Sequence, residues 1–253
     1  MIRRWWLPVG ILVGGFWGRF FLSFFTHPGL NWDEAPQVLM ARQIAEGRIL
    51  PAVHFQLPYI GPVEQYPLAL WMLAVGDDVP EIRLFYFLLS AMSLVGCFLF
   101  YRRIFPDSWA NLATAMAALC PPMVLLPSLQ AYSFAGLVFA TGCALWLALR
   151  LGDGTSPVGA WALGVFNGLA LYNNILFAGV LLFSAWLAYR RVRGRRAALF
   201  GAGVLLGYAP MLLFNLANDF VSYQMLAAKF FGVSQAMVDE LGVPLAIWRG
   251  AVE

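Results

Sequence analysis

Three carboxylates in the long polar segment of this sequence have the clearest capacity for chemistry. Asp33 and Glu34 follow Trp32 directly, and Glu64 lies in the turn-rich stretch 61–67. Turns that bring Glu64 back toward the acidic pair would assemble a site able to supply a general base. Simpler interpretations exist: Asp33 as a helix N-cap, Glu34 as a first-turn acid favoured by the helix dipole, and Glu64 as a solvated loop acid.

Cationic side chains near this segment are candidates for binding an anionic group. Arg19 lies within an apolar run, where an Arg costs about 2.5 kcal/mol or more and usually faces a partner or a wet cavity; snorkelling is the alternative. Arg42, Arg48 and Arg83 suit an anionic headgroup, with ordinary lipid anchoring as the alternative. His54 lies in the same segment and is a further candidate. The alternative is an ordinary solvated or packed side chain, since no spacing pairs His54 with carboxylates as metal ligands.

The composition excludes a soluble globular domain. Of the 253 residues, 61% are hydrophobic and 11% charged, with a mean hydropathy of +0.73, whereas about 25% of residues are charged in ordinary soluble domains. Cys97, Cys120 and Cys143 lie in apolar stretches without a CxxC pattern, which predicts buried filler and neither a zinc site nor a disulfide. The net charge of +3 gives no reason to expect a nucleic-acid partner.

The hydrophobic pattern predicts an all-α, polytopic membrane protein with about seven transmembrane helices. A crossing needs about 20 apolar residues. Five runs come close to that length: 5–25, 83–101, 110–126, 134–151 and 197–214. The stretch 158–189 is too long for one crossing, and Tyr172, Asn173 and Asn174 interrupt it, which predicts a hairpin of two short helices.

Small and amide side chains inside the apolar runs indicate how the helices meet. Gly201, Gly203 and Gly207 predict close helix packing, and Asn167, Asn173 and Asn174 predict interhelical hydrogen bonds. Neither pattern by itself indicates a ligand.

Charge gives the orientation. Most of the 16 Lys and Arg residues fall in loops on one side of the predicted spans, and most of the 13 Asp and Glu residues on the other. Short cytoplasmic loops collect basic residues, so we predict a cytoplasmic N-terminus. Merging the hairpin into one span would strand the basic cluster 190–196 outside, so the charge pattern favours seven spans.

The outer segment 26–82 is where we expect the function, because it is the long polar connection. Its first part predicts an amphipathic helix, capped by Asn31 or Asp33, with Pro36 in the first turn and Gly47 at the end. We expect this helix and a second apolar run, 67–75, to lie along the membrane surface.

Two regions follow from this pattern. Residues 1–214 form a membrane module that contains the outer segment, and residues 215–253 form an outer tail of mixed polarity.

Several short motifs occur in an order that resembles a known family. They are Trp32-Asp33-Glu34, Ala41-Arg42-Gln43-Ile44-Ala45-Glu46-Gly47, Gly61-Pro62-Val63-Glu64, Ile82-Arg83-Leu84 and Tyr101-Arg102-Arg103-Ile104-Phe105. Together they look like the N-terminal module of the C-type integral membrane glycosyltransferases, in the branch of protein mannosyltransferases and bacterial aminoarabinose transferases. The likeness covers nearly the whole chain as topology, and its motifs are concentrated between Trp32 and Phe105.

The resemblance implies an inverting glycosyltransferase that uses a polyprenyl-phosphate-linked sugar on the non-cytoplasmic side. It gives Asp33 the catalytic position, supported by Glu34 and Glu64. We expect the Asp33 carboxylate to point into an enclosed hollow at the level of the lipid headgroups. The departing lipid phosphate needs cationic or hydrogen-bond stabilisation. The candidates for that role are Arg19, Arg42, Arg48 and Arg83, and His54 and Gln65 are further candidates for substrate binding.

The sequence departs from the family in three ways. Gln65 stands where many relatives have Lys, which removes one phosphate partner. No carboxylate occurs between residues 128 and 152, where many relatives carry an acid, so a divalent metal ion is compatible with the sequence but not required by it. Family members continue with further spans, so we expect a fragment, half of a split enzyme, or a module inactive alone.

A non-catalytic scaffold, carrier or flippase component for lipid-linked sugars is the alternative function. In either case the expected partners are a polyprenyl-phosphate sugar and membrane lipid, with a glycan, lipid or protein acceptor for the enzyme. The arginine- and alanine-rich composition fits a bacterial inner membrane with a periplasmic active face.

Overall fold

The structure is a computed structural model that describes residues 6–26, 30, 32–54, 57–119, 129, 134–150, 156–191 and 194–231. Over these residues the regular structure is helical throughout, without a strand. The prediction of an all-α fold is therefore confirmed for the described part of the chain.

Ten α-helices make up the described fold. The first five are α1 (Trp6–Phe21, continued by a π-helical turn, Leu22–Thr26), α2 (Ala35–Ala45), α3 (Gln65–Ala74), α4 (Val79–Ile104) and α5 (Asp107–Ala118). The others are α6 (Phe134–Arg150), α7 (Pro157–Asn173), α8 (Ala178–Arg191, preceded by a 3-10 turn, Ile175–Phe177), α9 (Arg195–Ala217) and α10 (Val221–Phe231).

Three of these helices are long and apolar enough to cross a membrane: α1 with its π-helical turn, α4 and α9. Helices α5 to α8 lie at the other four predicted positions but contain only 12 to 17 residues each, or roughly 18 to 26 Å at the helical rise. The described residues thus contain fewer candidate spans than the seven predicted.

Parts of several predictions lie outside the described residues. These are the second half of the span 110–126, the basic residues at 3 and 4, the cap candidate Asn31, the third cysteine Cys120, and the tail from residue 232 onward.

The predicted break in the long apolar stretch is confirmed. Helix α7 ends at Asn173, and Asn174 adopts an extended conformation with φ −156°. The Asn174 side chain then accepts a hydrogen bond from the Leu176 backbone N–H at 3.0 Å, which starts the turn before α8. A short amide side chain that bonds to a nearby backbone N–H is a common way to begin a helical turn.

Helices α7 and α9 pack backbone against backbone. A Cβ added at Gly164, Gly168, Gly203 or Gly207 would lie 2.1 to 2.3 Å from a carbonyl oxygen of the facing helix. Glycines four residues apart on both helices create this close approach. The packing prediction is confirmed for Gly203 and Gly207 but is wrong for Gly201, where an added Cβ would meet nothing within 4 Å.

The outer segment folds against the start of α4. Val38 and Ala41 of α2 and Leu68 of α3 form one buried cluster with Ile82 and Tyr86 of α4. Both helices of the outer segment lie at the expected places. As predicted, Pro36 lies in the first turn of α2, and Gly47, with a left-handed φ of +71°, follows the helix.

The capping prediction for α2 is wrong. Glu34, not Asp33, occupies the N-cap position, and its side chain makes no capping hydrogen bond.

The loop between α2 and α3 is attached to the end of α7. The Gly61 N–H donates to the Tyr172 carbonyl oxygen at 2.7 Å, and the Tyr172 hydroxyl donates to the Ala52 carbonyl. On the other side, the Ser222 hydroxyl donates to the Pro58 carbonyl at 2.7 Å. These bonds bring the start of α3 next to the break after α7, where the candidate site lies.

The glycine interface gives a direct test of the packing. Gly207→Ala should lower the free energy of unfolding by roughly 1–3 kcal/mol, because its Cβ would overlap backbone atoms that cannot rotate away. Gly201→Ala is the matched control, since its Cβ enters open space and Ala favours helix by up to about 1 kcal/mol. Thermal unfolding of the purified proteins measures both changes, and equal stability of the two variants would contradict the interface.

Candidate active site

Polar side chains from four elements meet inside the protein, next to the apolar contacts of α2, α3 and α4. Each of them is buried. They are Glu34, Gln37, Glu64, Gln65, Arg83, Tyr86 and Asn173. Buried polar groups of this density carry a desolvation cost, so such a cluster marks a candidate functional site.

Glu34 and Arg83 form a buried ion pair. Their exposed fractions are 1% and 2%, and the guanidinium engages both carboxylate oxygens, with Nη2 of Arg83 2.8 Å from Oε2 of Glu34. This two-pronged geometry is the strongest that Arg makes with a carboxylate. It fixes the start of α2 against α4.

Glu64 lies in a different environment. Its Oε1 accepts from the Asn173 amide at 2.8 Å and from the Gly136 N–H at 3.1 Å. Its Oε2 is buried and has no hydrogen-bond partner among the described residues. Glu64 therefore interacts directly with dipoles, whereas Glu34 has a cation.

Burial raises the pKa of Glu64 from 4.5 to about 7, and the hydrogen bonds from Asn173 and Gly136 oppose the shift only in part. A carboxyl group with a pKa near neutrality can both accept and return a proton at physiological pH. This is the property expected of a general base.

Gly136 is required for this arrangement. A Cβ at position 136 would lie 2.3 Å from Oε1 of Glu64. Any larger residue at the start of α6 would displace the carboxyl group, so the glycine and the acid form one structural unit.

An apolar cavity of about 300 Å³ lies beside Glu64. Glu64 and Asn173 contribute to its wall, which otherwise consists mainly of aromatic and aliphatic side chains such as Phe85, Phe139 and Leu169. The volume is at the lower end of the range for small-molecule sites. The cavity combines an apolar chamber with one protonatable group.

Tyr86 connects the two acidic residues. It is fully buried and interacts electrostatically with Glu34, Glu64 and Arg83. Its hydroxyl has no hydrogen-bond partner among the described residues. The ion pair and the Glu64 environment are therefore parts of one cluster.

The expectation that Asp33 points into an enclosed hollow is wrong. Asp33 is exposed, and it does not line the cavity beside Glu64. Successive residues of a helical turn differ by about 100° around its axis. Because Glu34 faces Arg83, Asp33 is turned by about 100° from that direction, and it is exposed.

Arg42 and Arg48 lie in exposed ion pairs and not in the buried cluster. Arg42 is 2.8 Å from Asp77, and Arg48 is 2.9 Å from Glu46. Exposed pairs of this kind contribute about 0–1 kcal/mol, so both guanidinium groups can exchange partners at little cost.

Arg19 has a structural explanation. It is buried, and it donates to the carbonyl oxygens of Ala117 and Ala118 at 3.2 and 3.1 Å and to the Ser90 hydroxyl at 3.1 Å. The last carbonyls of a helix lack intrahelical donors and carry partial negative charge. Arg19 therefore faces protein partners at the end of α5, which excludes the snorkelling alternative.

His54 and Gln65 are buried inside the outer segment. Burial lowers the pKa of His54 from 6.5 to about 4, so the imidazole is neutral at pH 7 and offers no charge to a phosphate. The Gln65 amide donates to the Gln37 side chain. Both side chains are therefore enclosed by other parts of the protein.

Asn173 and Gly136 are the site residues whose role the sequence reasoning missed. Asn173 was expected to form an interhelical hydrogen bond, but its partner is the Glu64 carboxylate. The Asn-rich break after α7 was a usable signal, whereas nothing local distinguished Gly136. Asn167 donates to Leu163 within its own helix at 2.9 Å.

Among the described residues there is no group of three or more His, Cys, Asp or Glu side chains that could hold a metal ion. The site geometry therefore gives no support for a metal in this part of the chain. Comparisons with family models, curated proteins and solved structures each found no match to this chain.

The ion pair predicts a large difference between two arginines. Arg83→Met should lower the free energy of unfolding by about 3–5 kcal/mol, because Glu34 would be left buried without its cation. Arg42→Met, the matched control, should cost less than about 1 kcal/mol because its pair is exposed. Denaturant unfolding measures both, and similar losses would contradict a special role for the buried pair.

The Glu64 carboxyl predicts a pH dependence of stability. Its folded-state pKa is raised from 4.5 to about 7, so its contribution is complete below pH 4.5 and is lost as the pH rises through 7. The loss amounts to about 3 kcal/mol. His54 contributes in the opposite direction, losing stability as the pH falls from 6.5 toward 4.

Comparison with Glu64→Gln isolates the carboxyl. The difference in free energy of unfolding between wild type and Glu64→Gln should shift by up to about 3 kcal/mol against wild type between pH 4.5 and 7.5. The His54 contribution cancels because both proteins retain it. A difference independent of pH would contradict the raised pKa.

Proposed function

We propose that this protein is a membrane glycosyltransferase that moves a sugar from a polyprenyl-phosphate-linked donor to an acceptor hydroxyl on the outer face, with inversion. The observation that carries the proposal is the Glu64 carboxyl, which is buried, has a pKa of about 7 and lies in the wall of an apolar cavity. The order of motifs from Trp32 to Phe105 supports the same function by resemblance.

Apolar side chains on the outside of the helices support the membrane setting. Trp17, Leu182 and Leu213 are 67%, 71% and 66% exposed, and exposure of this kind on many helices is costly in water. We propose that α1 and α4 to α9 all cross the membrane, with the N-terminus cytoplasmic. Trp32, which is 94% exposed, suits the outer interface of a bacterial inner membrane.

In the proposed reaction, the acceptor oxygen attacks the anomeric carbon from the side opposite the lipid phosphate. Glu64 Oε2 takes the acceptor proton as the new carbon–oxygen bond forms. The bond from the anomeric carbon to the phosphate oxygen breaks, and the polyprenyl phosphate leaves with the electron pair. Asn173 and the Gly136 N–H hold Oε1, so the carboxyl stays oriented through the step.

The leaving phosphate is proposed to bind at the exposed arginines. Arg42 and Arg48 can leave their surface partners at a cost of about 0–1 kcal/mol. Arg83 is unsuited to this task, because moving it away would leave the buried Glu34 carboxylate without its cation, at a cost of several kcal/mol. Arg83 and Glu34 instead hold α2 in place.

The base therefore differs from the one implied by resemblance. Asp33 remains at the matching motif position, but its exposure leaves it outside the cavity. We propose Glu64 as the base, with Glu34 as a positioning residue.

Glu64→Gln should lower kcat for sugar transfer by about 10² to 10⁴, with little change in KM for the donor. The amide keeps the size and the hydrogen bonds of the side chain but cannot accept the proton. In the wild type, kcat/KM should rise roughly tenfold per pH unit up to about pH 7 and then level off. Transfer assays in membranes supplied with a radiolabelled polyprenyl-phosphate sugar measure both quantities.

Asp107→Asn is the matched control, because Asp107 is exposed and pairs with Arg102, which has no proposed role in the transfer, and it should transfer at the wild-type rate. Asp33→Asn tests the assignment implied by the motif. Loss of transfer in Asp33→Asn together with full transfer in Glu64→Gln would return the base to Asp33 and contradict our proposal.

The exposure of Asp33 is the observation that favours the second candidate, a carrier for lipid-linked sugars that performs no transfer. A carrier would move the headgroup across the membrane, and Glu64→Gln would still do so. Headgroup translocation without any transfer by the wild type would favour this function.

A further inference from the structure

The cavity beside Glu64 has walls that select against charged ligands. The described residues that line it include no Lys or Arg, and Glu64 is the only acid among them. A phosphate or a carboxylate would enter without a cation and would face Glu64. The body of the ligand must therefore be uncharged and apolar.

Two polar atoms at the cavity wall specify the remaining chemistry. The Glu64 Oε1 already accepts two hydrogen bonds, so the carboxyl proton belongs on Oε2, which has no described partner and can donate. The Asn173 amide nitrogen donates to Glu64, which leaves Asn173 Oδ1 as an acceptor, also without a described partner. One donor and one acceptor thus lie side by side.

A hydroxyl group matches this pair. It can accept from Glu64 and donate to Asn173, which neither an ether nor a carboxylate can do. Both oxygens are covered in the structure, so binding requires the terminal torsions of Glu64 and Asn173, which are soft in these residue types, to turn the oxygens toward the cavity. Each bond that is formed offsets the cost of a buried unsatisfied polar atom.

We propose that this cavity binds the hydroxyl end of an apolar alcohol, so that the acceptor of the proposed transfer is a lipid-borne hydroxyl and not a soluble glycan or a protein side chain. The part that concerns the acceptor rests on the proposed function. Binding of the alcohol does not, because it requires only the cavity and the two oxygens. In the bound state the hydroxyl lies against Oε2 of Glu64, which must lose its own proton before it can take the hydroxyl proton in the transfer.

The probe is a ten-carbon primary alcohol that carries a photoreactive diazirine in its chain, with its methyl ether as the matched compound. In nanodiscs the alcohol should label cavity residues such as Phe139 and Leu169, as located by mass spectrometry. The methyl ether should label them roughly fivefold to tenfold less, because it cannot donate to Asn173. Equal labelling by the two compounds, or no labelling of the cavity, would overturn the proposal.

Three variants test the polar pair and the space. Glu64→Gln should bind the alcohol as the wild type does, because its amide also donates, whereas Glu64→Leu should lose the preference for the alcohol over the ether. Leu169→Trp should abolish labelling because the larger side chain fills the cavity. Leu73→Trp adds the same side chain at an exposed position and should leave the labelling unchanged. Thermal unfolding of each variant confirms that it is folded, and an unchanged preference in Glu64→Leu would refute the role of the polar pair.

The combined outcomes separate this proposal from the function. Alcohol labelling with loss of transfer in Glu64→Gln supports both. Loss of transfer in Glu64→Gln without alcohol labelling would overturn the lipid acceptor and leave the transferase. If the alcohol labels the cavity and Glu64→Gln transfers sugar normally, Glu64 is not the base and the bound alcohol is not the acceptor. The cavity would then remain a binding site for an apolar alcohol.

Discussion

The ion pair between Glu34 and Arg83 is the interaction on which the packing of α2, α3 and α4 depends. Two charges removed from water are stable only together, and this pair joins residues 49 positions apart, at the start of α2 and in α4. Val38 and Ala41 follow Glu34 at helical spacing, so the face of α2 that carries the carboxylate also carries its apolar contacts. The pair thus sets the rotation of α2 about its axis, and the cluster of α2, α3 and α4 follows from it.

The two buried glutamates differ because of their neighbours. Glu34 meets a guanidinium, whereas Glu64 meets a backbone N–H, a side-chain amide and an apolar chamber. A nearby cation strongly stabilises an ionised carboxylate. The two hydrogen bonds to Glu64 offset only part of the free-energy cost of burying its charge. The same residue type therefore forms a buried ion pair at one position and has a pKa raised to about 7 at the other.

Much of the fold could be predicted from the sequence, because the signals were local. The Pro and Gly that bound α2, the amide-rich break after α7, and two of the glycines of α9 each act within a few residues. The number of spans was less predictable, since only three of the described helices are long and apolar enough to cross a membrane.

The site was harder to predict, because its decisive contacts are distant in sequence. Nothing between residues 31 and 35 shows that Glu34 faces inward and Asp33 outward; that choice depends on Arg83. Likewise, the local sequence is compatible with Glu64 as a catalytic acid or as a solvated loop acid. Its burial depends on contacts with Gly136 and Asn173, which lie 72 and 109 residues further on.

The close helix pairs have a mechanical consequence for the cavity. Helices α7 and α9 touch through their backbones, and α4 and α6 do nearly so, since a Cβ added at Gly142 would lie 3.0 Å from the Cys97 nitrogen. Without an intervening layer of side chains, each pair behaves as one stiff unit. The chamber lies along the seam between these units, where Phe85, Phe139 and Phe166 form its walls. Aromatic side chains can change torsion where backbones in contact cannot separate, so the width of the chamber is set by how these three rings are packed.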